Sequence, residues 1–213
     1  MPGLFITLEG GDGVGKSTQA QLLTEWLESR DLEVVRTREP GGTALGAEIR
    51  RLLLHGGYEI GAVDPRAEAL LYAADRAQHI ATVVRPALAR GAVVVQDRYI
   101  DSSLAYQGAG RVLSVDDVRR VSEWAVDSLW PHLTVLLDLD AAKAVARRES
   151  RDGAQGETAD RLESEAHEFH TAVRDGFLAL AEAEPDRFLV VDAEQSAEKI
   201  QEKIRARVSP LLD

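Results

Sequence analysis

The stretch Gly10-Gly11-Asp12-Gly13-Val14-Gly15-Lys16-Ser17 follows an apolar run, Leu4 to Leu8, and precedes a segment of helical periodicity. It matches the pattern G-x-x-x-x-G-K-[ST] in the strand, loop and helix context that the pattern requires. The glycines let the backbone curl around an anion with its N–H groups turned inward, and the helix N-terminus adds a favourable dipole. This arrangement predicts an ATP site in which Lys16 reaches the β- and γ-phosphates and Ser17 binds Mg²⁺. Its expected members are Gly10, Gly11, Asp12, Gly13, Val14, Gly15, Lys16, Ser17 and Thr18.

The composition is that of an ordinary globular protein of 213 residues, with 45% hydrophobic and 29% charged residues. The length favours a single domain over residues 1–213. With 25 basic and 36 acidic residues the net charge is -11, which argues against nucleic acid as a partner. The chain has no cysteine, and neither a leader pattern nor a membrane-length apolar run is visible, so we expect a cytoplasmic protein.

Short apolar runs alternate with helical segments along the chain. This alternation predicts an α/β fold of the P-loop NTPase type, a three-layer sandwich in which helices flank a five-stranded parallel sheet. A mobile lid is expected near 150–160, which has no apolar anchor. The predicted strands are Leu4 to Leu8, Leu32 to Val35, Ala92 to Val95, Leu133 to Leu137 and Phe188 to Val191. The predicted helices are Lys16 to Ser29, Ala44 to Leu54, Pro65 to Arg90, Val115 to Ser128, Ala141 to Arg151, Arg161 to Glu182 and Ala197 to Leu212.

The loop alone leaves the class open, because ATPases, switch GTPases and small-molecule kinases share it. No Asn-Lys-x-Asp segment is present to read guanine. The run Val93 to Val95 leads into Gln96-Asp97-Arg98-Tyr99 rather than into the Asp-Glu pair of many ATPases. An arginine at this point suits a second, phosphate-bearing substrate, because its planar guanidinium can grip a phosphate beyond the strand end.

Two aspartates compete for the metal side of the site. Asp97 can hold the hydration shell of Mg²⁺ through water. Asp138 closes the run Thr134 to Leu137 in the same manner, so the pattern leaves both open. Asp97 is favoured because an arginine, a tyrosine and serines follow it.

Four segments together resemble the thymidylate kinase family, over nearly the whole chain. The order and spacing of the segments are specific even where each one alone is not. The resemblance implies direct in-line transfer of the γ-phosphoryl group of Mg·ATP to dTMP, yielding dTDP for dTTP biosynthesis, in a homodimer. The segments are Gly10 to Thr18, Thr37 to Thr43, Leu70 to His79 and Asp97 to Arg111.

The resemblance also implies how dTMP is held. Arg98, helped by Arg38, grips the monophosphate, and Arg76 donates to the pyrimidine O4, which disfavours the amino group of cytosine. Tyr72, at a position where relatives often have phenylalanine, stacks on the base. Tyr106 lies against the sugar C2′ and disfavours ribonucleotides. Further contacts with dTMP are implied for Asp12, Pro40, Ser103, Gln107 and Glu163.

The variable loop positions Gly11 to Val14 carry no basic residue. The resemblance therefore implies that a lid, residues 147–163, supplies the missing catalytic cations beside Lys16 and Arg98. The candidates are Arg148, Arg151 and Arg161. Two alternatives remain open: a related kinase acting on another nucleoside or nucleoside monophosphate, and a regulatory nucleotide-binding protein without turnover.

Overall fold

A five-stranded parallel sheet forms the centre of the computed structural model, which describes residues 3–55, 61–110, 113–155 and 160–212, without the side chains of 55 and 151–155. Numbered along the chain, the five strands lie in the sheet in the order second, third, first, fourth and fifth. All pairings are parallel, so the carboxyl ends of the strands meet at one edge, and the predicted sheet is confirmed. The strands are β1 (Leu4–Glu9), β2 (Val34–Arg38), β3 (Val93–Asp97), β4 (Leu133–Asp138) and β5 (Phe188–Asp192).

Helical segments connect successive strands. π-helical segments, Arg51–His55, Ile80–Val84 and Leu104–Ala109, directly follow the helices that end at Arg50, His79 and Ser103, and a 3₁₀ turn, Ser209–Leu211, follows the last helix. Within the described ranges no helix combines the length and apolarity needed to cross a membrane. The helices are α1 (Lys16–Glu28), α2 (Ala44–Arg50), α3 (Pro65–His79), α4 (Arg85–Ala89), α5 (Ile100–Ser103), α6 (Val115–Val126), α7 (Ala141–Gln155), α8 (His167–Ala183) and α9 (Ala197–Val208).

Helices cover both faces of the central strands, whose successive side chains point to opposite faces. In β1, Ile6 belongs to a core shared with α1 and α9, whereas Phe5 belongs to a second core that includes α8. All six residues of β1 are buried. The two cores and the sheet between them make the three layers that the sequence predicts.

Two elements near the site differ from the sequence prediction. β2 begins at Val34 and runs on to Arg38, because its whole length pairs with β3 and Arg38 lies opposite Asp97. Its exposed arginines at 36 and 38 interrupt the apolar run, so the sequence pattern does not indicate a strand there. The helical stretch Ile100–Ala109 was not predicted, since its serines and glutamine look like loop residues although they are buried.

The lid region also differs. α7 continues to Gln155, so the loop expected from Ser150 is wrong for the first six residues, and residues 156–159 lie outside the described part. α8 begins at His167 rather than Arg161. Asp160 Oδ1 accepts the backbone N–H groups of Leu162 and Glu163, at 2.9 Å each, and this holds 161–165 in turns before the helix.

Candidate active site

The glycine-rich loop wraps around the N-terminus of α1, as the sequence predicts. Gly10 and Gly13 have φ values of 129° and 80°, and a Cβ at either would lie 2.5 Å from a backbone oxygen, so only glycine fits. Lys16 is buried, and its Nζ donates to the carbonyl oxygens of Gly10 and Gly11 at 3.2 and 2.6 Å. These bonds hold the ammonium group over the loop.

Ser17 and Asp97 face each other where α1 starts and β3 ends. Ser17 Oγ donates to Asp97 Oδ2 at 3.1 Å. The other oxygen, Asp97 Oδ1, is buried and has no hydrogen-bond partner in the described part of the chain. An unpaired buried carboxylate oxygen beside a hydroxyl is a suitable pair of ligands for a hard cation.

Asp138, the other candidate for the metal side, is already paired. Arg174 of α8 donates to both of its oxygens, at 2.7 and 3.0 Å. A bidentate arginine satisfies a carboxylate in charge and in hydrogen bonding. The two aspartates that look alike in the sequence therefore have different surroundings in the structure.

Arg98 is the centre of a polar cluster on the neighbouring wall. One terminal nitrogen donates to Asp12 Oδ1 at 2.5 Å and to the Tyr106 hydroxyl at 3.1 Å. The other donates to the Gly10 carbonyl at 3.1 Å and to Ser102 Oγ at 3.0 Å. Tyr106 in turn donates to Asp12 Oδ2 at 2.9 Å. The cluster thus joins the glycine-rich loop to α5 and its extension.

The charges in this cluster stabilise one another. Burial alone would raise the pKa of Asp12, but Arg98 and Lys16 hold it well below its usual range. Although burial would lower the pKa of Arg98, Asp12 raises it well above the ordinary value. Burial, followed by Arg98, lowers the pKa of Lys16. Arg98 and Asp12 therefore remain a charged pair at neutral pH.

A pocket opens beside this cluster, and it brings together most of the residues predicted to hold dTMP. The loop after β2, helix α3 and the extension of α5 form its walls. Tyr72 is 8% exposed, and burial followed by Glu68 raises the pKa of its hydroxyl. The predicted residues that line this pocket are Asp12, Pro40, Tyr72, Arg76, Arg98, Ser103, Tyr106 and Gln107.

Arg76 is held rigidly in this pocket and is 2% exposed. Its Nε donates to Glu39 Oε2 at 2.8 Å, and its terminal nitrogens donate to Ser122 Oγ, Ser103 Oγ and the Tyr99 carbonyl. Within the described part of the chain these bonds use four of its five N–H groups. The guanidinium keeps one donor for a ligand.

Several residues that shape the pocket were missed by the sequence reasoning. Glu39 Oε1 contacts His79 Nδ1 at 2.9 Å, and His79 Nε2 contacts Thr37 Oγ1 at 2.7 Å, so a chain of contacts links Arg76 through Glu39 and His79 to β2. Glu68 accepts a bond from Gln107 Nε2 at 2.9 Å. Neither acid stands out in the sequence, because each one lies far along the chain from its partner.

A second cleft continues from the pocket to the glycine-rich loop. Arg38 and Glu163, the remaining residues predicted for dTMP, line it together with Lys16, Ser17 and Asp97. Arg50 and Arg147, which were not predicted, also line it. Burial, followed by Arg38, lowers the pKa of Arg50. Glu163 Oε2 accepts the backbone N–H of Asp160 at 2.9 Å.

The side chains of two of the three lid arginines are described, and these two lie in different surroundings. Arg148 is buried against the glycine-rich loop, where its Cβ would lie 3.3 Å from a Cβ built on Gly13. Arg161 Nε donates to the Leu53 carbonyl at 2.8 Å, and its guanidinium pairs with Glu68, which also binds Gln107 of the pocket. The side chain of Arg151 lies outside the described residues. The structure therefore brings Arg148 to the loop, and it holds Arg161 at the pocket.

Comparison with known proteins extends over this whole arrangement. The family model for thymidylate kinase matches residues 8–204. The thymidylate kinase of Leifsonia xyli subsp. xyli is 63% identical over 207 residues, which cover 97% of this chain and 95% of that protein. That of Clavibacter michiganensis subsp. michiganensis is 61% identical over 212 residues, covering 100% of this chain and 97% of that protein. The crystal structure of thymidylate kinase from Ehrlichia chaffeensis aligns with a TM-score of 0.77 at 29% identity, over 98% of this chain and 99% of that chain.

Proposed function

Because this chain belongs to the thymidylate kinase family, we propose that the cleft at the carboxyl edge of its sheet binds ATP and dTMP and aligns them for direct in-line transfer. The reaction is the ATP-dependent phosphorylation of dTMP to dTDP, a step of nucleotide biosynthesis. One observation carries the proposal: Arg98 joins the loop that carries Lys16 to the pocket that contains Tyr72 and Arg76. A donor site and an acceptor site thus share one wall.

The glycine-rich loop, Gly10 to Thr18, would hold the ATP phosphates with its backbone N–H groups and Lys16. Arg147 supports a location for the adenine at the far end of the cleft, because it binds the Ala193 carbonyl at 2.8 Å and fixes the segment after β5. The residues of that segment would contact adenine mainly through their backbone. The absence of cysteine is compatible with the cytoplasmic location that we include in the proposal.

Ser17 and Asp97 fit a magnesium ion that accompanies ATP. The buried, unpaired oxygen of Asp97 supports this assignment, and the bidentate arginine on Asp138 argues against the rival aspartate. The described residues contain no cluster of three or more metal-binding side chains. A nucleotide-bound Mg²⁺ does not need one, since phosphate oxygens and water complete its shell. When bound, the ion neutralises charge on the β- and γ-phosphates.

On the acceptor side, Arg98 and Arg38 would bind the 5′-phosphate of dTMP and Tyr72 would stack on thymine. The remaining N–H of Arg76 would donate to O4, whereas cytosine would present its own donor there. Ser103 and Gln107 frame the base, Tyr106 lies against C2′, and Asp12 approaches the 3′-hydroxyl. Pro40 and Glu163 complete the proposed site.

Little general-base help is needed in this transfer, because the accepting phosphate is already an anion. What the protein supplies is alignment, charge neutralisation and exclusion of water. The backbone of Arg148 lies next to Gly13, and its charge acts on Glu163 in the cleft; this position supports a role in stabilising the transferring group. Arg161 can take that role only by leaving Glu68, and Arg151 stays a prediction.

The assay that tests the function measures ADP release with Mg·ATP and, in turn, dTMP, dUMP, dCMP, dAMP and thymidine. We expect the highest kcat/KM for dTMP and negligible turnover of dCMP and thymidine. Comparable rates with dCMP would remove the proposed role of Arg76 in base selection. No turnover of dTMP would overturn the function.

The lid arginines are tested by comparing Arg148→Ala with Arg161→Ala. We expect Arg148→Ala to lower kcat more than it weakens dTMP binding, which is the mark of a contact made in the transition state. Arg161→Ala should raise KM for dTMP instead, because its partner Glu68 also holds Gln107 of the pocket. The reverse pattern would make Arg161 the catalytic cation.

The proposed homodimer is supported by an apolar face on α3 and α6. Leu70 and Trp124 are 57% and 85% exposed there, with alanines and Val121 between them. Exposed large apolar groups that lie together are typical of interfaces. Trp124→Asp should convert a dimer into a monomer in light scattering, whereas Val190→Asp, at an exposed apolar residue on β5, should not.

A further inference from the structure

Glu9, the last residue of β1, is a fully buried carboxylate to which the reaction assigns no role. Its Oε1 accepts the backbone N–H of Tyr99 at 2.7 Å. Its Oε2 accepts the hydroxyl of Ser102 at 2.6 Å. A buried acid is costly unless it is hydrogen-bonded, and both oxygens of Glu9 are used on the segment that begins with Arg98.

Ser102 connects this acid to the guanidinium of Arg98. A serine hydroxyl has one hydrogen to donate and two lone pairs that accept. Because the hydrogen goes to Glu9, a lone pair is available to accept Arg98 at 3.0 Å. Glu9 thus fixes the direction in which the Ser102 hydroxyl points.

The end of β1 also holds the backbone of Arg98. Its φ is 66°, a left-handed conformation that is unfavourable for a residue with a Cβ. The N–H of Arg98 donates to the Leu8 carbonyl at 3.0 Å, and the next N–H, that of Tyr99, donates to Glu9. The end of β1 therefore maintains the turn that aims Arg98 into the cleft.

We propose that Glu9 is a positioning residue for Arg98, which we call the phosphate clamp. Glu9 holds Arg98 in place through Tyr99 and Ser102, so that the guanidinium of Arg98 meets the 5′-phosphate of dTMP. This inference rests on the proposed function, in which Arg98 binds that phosphate. A role confined to core stability would affect every ligand of the pocket alike. A role in aiming Arg98 affects only ligands that carry a phosphate.

The test compares two ligands that differ in the phosphate alone. The dissociation constants of dTMP and thymidine are measured by calorimetry or competition, without ATP, for the wild type, Glu9→Gln and Ser102→Ala. Gln keeps the size of Glu9 but faces Ser102 with an NH₂ donor, which reverses the bond. We expect each variant to bind dTMP about tenfold more weakly and thymidine within about twofold of the wild type.

Two further variants make the result decisive. Thr7→Val removes a buried hydroxyl from the same strand. Among the described residues the Thr7 hydroxyl bonds only to that of Thr134, at 3.0 Å, so this variant should leave the ratio of the two affinities unchanged. The double variant Glu9→Gln/Ser102→Ala should be no weaker for dTMP than the weaker single variant, because both act on one contact.

Arg98→Ala separates failure of the inference from failure of the proposed function. If Arg98→Ala weakens dTMP selectively and Glu9→Gln does not, the inference alone is overturned. If Arg98→Ala has no selective effect, the phosphate clamp itself is wrong and the inference falls with it. Equal loss of dTMP and thymidine in Glu9→Gln would assign Glu9 to the core, and additive losses in the double variant would remove Ser102 from the route.

Discussion

The carboxyl ends of β3 and β4 look alike in the sequence and differ in the structure. Each strand is an apolar run closed by an aspartate, and the two strands lie on either side of β1 in the sheet. Asp138 is bound at both oxygens by Arg174, whereas Asp97 keeps one buried oxygen without a partner in the described chain. The charge of Asp138 at the end of β4 is neutralised by Arg174, whereas Asp97 at the end of β3 can still accept a cation.

The residue after each aspartate extends the contrast. Leu139 is 4% exposed and packs in the core beneath the sheet. Arg98 takes a left-handed backbone conformation that turns its side chain toward Asp12. A strand end is therefore not enough to define a site. The side chain that faces the carboxylate, and the backbone that follows it, decide whether the end is structural or functional.

The largest effect is expected from removing Arg98, and the matched comparison is removal of Arg174, the partner of Asp138. Arg98→Ala should lower kcat/KM for dTMP on the order of 10³-fold, because in the proposed site Arg98 binds the accepting phosphate and Asp12 keeps the guanidinium in place. Arg174→Ala should leave kcat/KM within about twofold, since its partner lies outside the cleft. Steady-state kinetics at saturating ATP measures both, with circular dichroism as the control for folding. Equal losses would erase the distinction between the two ends.

The aspartates themselves come next. Asp97→Asn should lower kcat about 10²-fold and raise the Mg²⁺ concentration that gives half-maximal rate, because it removes the charge beside Ser17. Asp138→Asn is the matched control and should need no more Mg²⁺ than the wild type. If Asp138→Asn shifted the Mg²⁺ dependence and Asp97→Asn did not, the assignment of the metal side would be reversed.

The sequence predicts the loop and the end of β3 well, because the residues that matter there are contiguous. Gly10 to Ser17 forms the glycine-rich loop from one segment, and Asp97 and Arg98 are neighbours at the end of one strand. The sheet follows from five short apolar runs, and only the polar edge strand β2 is displaced, starting at Val34.

The sequence does not predict the buried polar pairs that complete the site. Glu9 meets Ser102 across 93 positions, and Glu39 meets Arg76 across 37. Each member alone reads as an ordinary polar residue at the end of a strand or on a helix. The sequence does not predict Arg174 as the partner of Asp138 for the same reason, because the two residues are 36 positions apart and meet only when α8 packs against β4.

Glu9, at the end of β1 and between the strands that carry the two aspartates, gives a prediction for the pH dependence of stability. Burial, followed by the charge of Asp101, raises the pKa of Glu9 from 4.5 to about 7, although Arg98 opposes the shift and the Lys16 ammonium also acts on it. The folded protein therefore binds this proton more tightly than the unfolded chain does. The free energy of unfolding should fall as the pH rises from about 5 to 7, by at most about 3 kcal/mol from this group.

The measurement compares chemical denaturation of the wild type and Glu9→Gln across this range. Because Gln cannot ionise, the difference in stability between the two should favour the wild type least at pH 7 and above. Other carboxyls, such as Asp75 with its pKa raised to about 6 by burial and then by Glu39, cancel in the comparison. A constant difference from pH 5 to 8 would show that Glu9 has the same pKa in both states.

The smallest expected effect tests whether the end of β4 is only a satisfied surface pair. The side chains of Arg174 and Asp138 are 35% and 22% exposed, so solvent screens their attraction. A double-mutant cycle with Asp138→Ala and Arg174→Ala should give a coupling of about 1 kcal/mol or less, at the upper end of surface pairs because the contact is bidentate. The coupling should weaken in 1 M salt, because the Debye length there is only about 3 Å and the ions screen the pair. A coupling of several kcal/mol, unchanged by salt, would show that this end is an anchor of the fold, and the contrast with β3 would then be between a buried structural charge and a catalytic one.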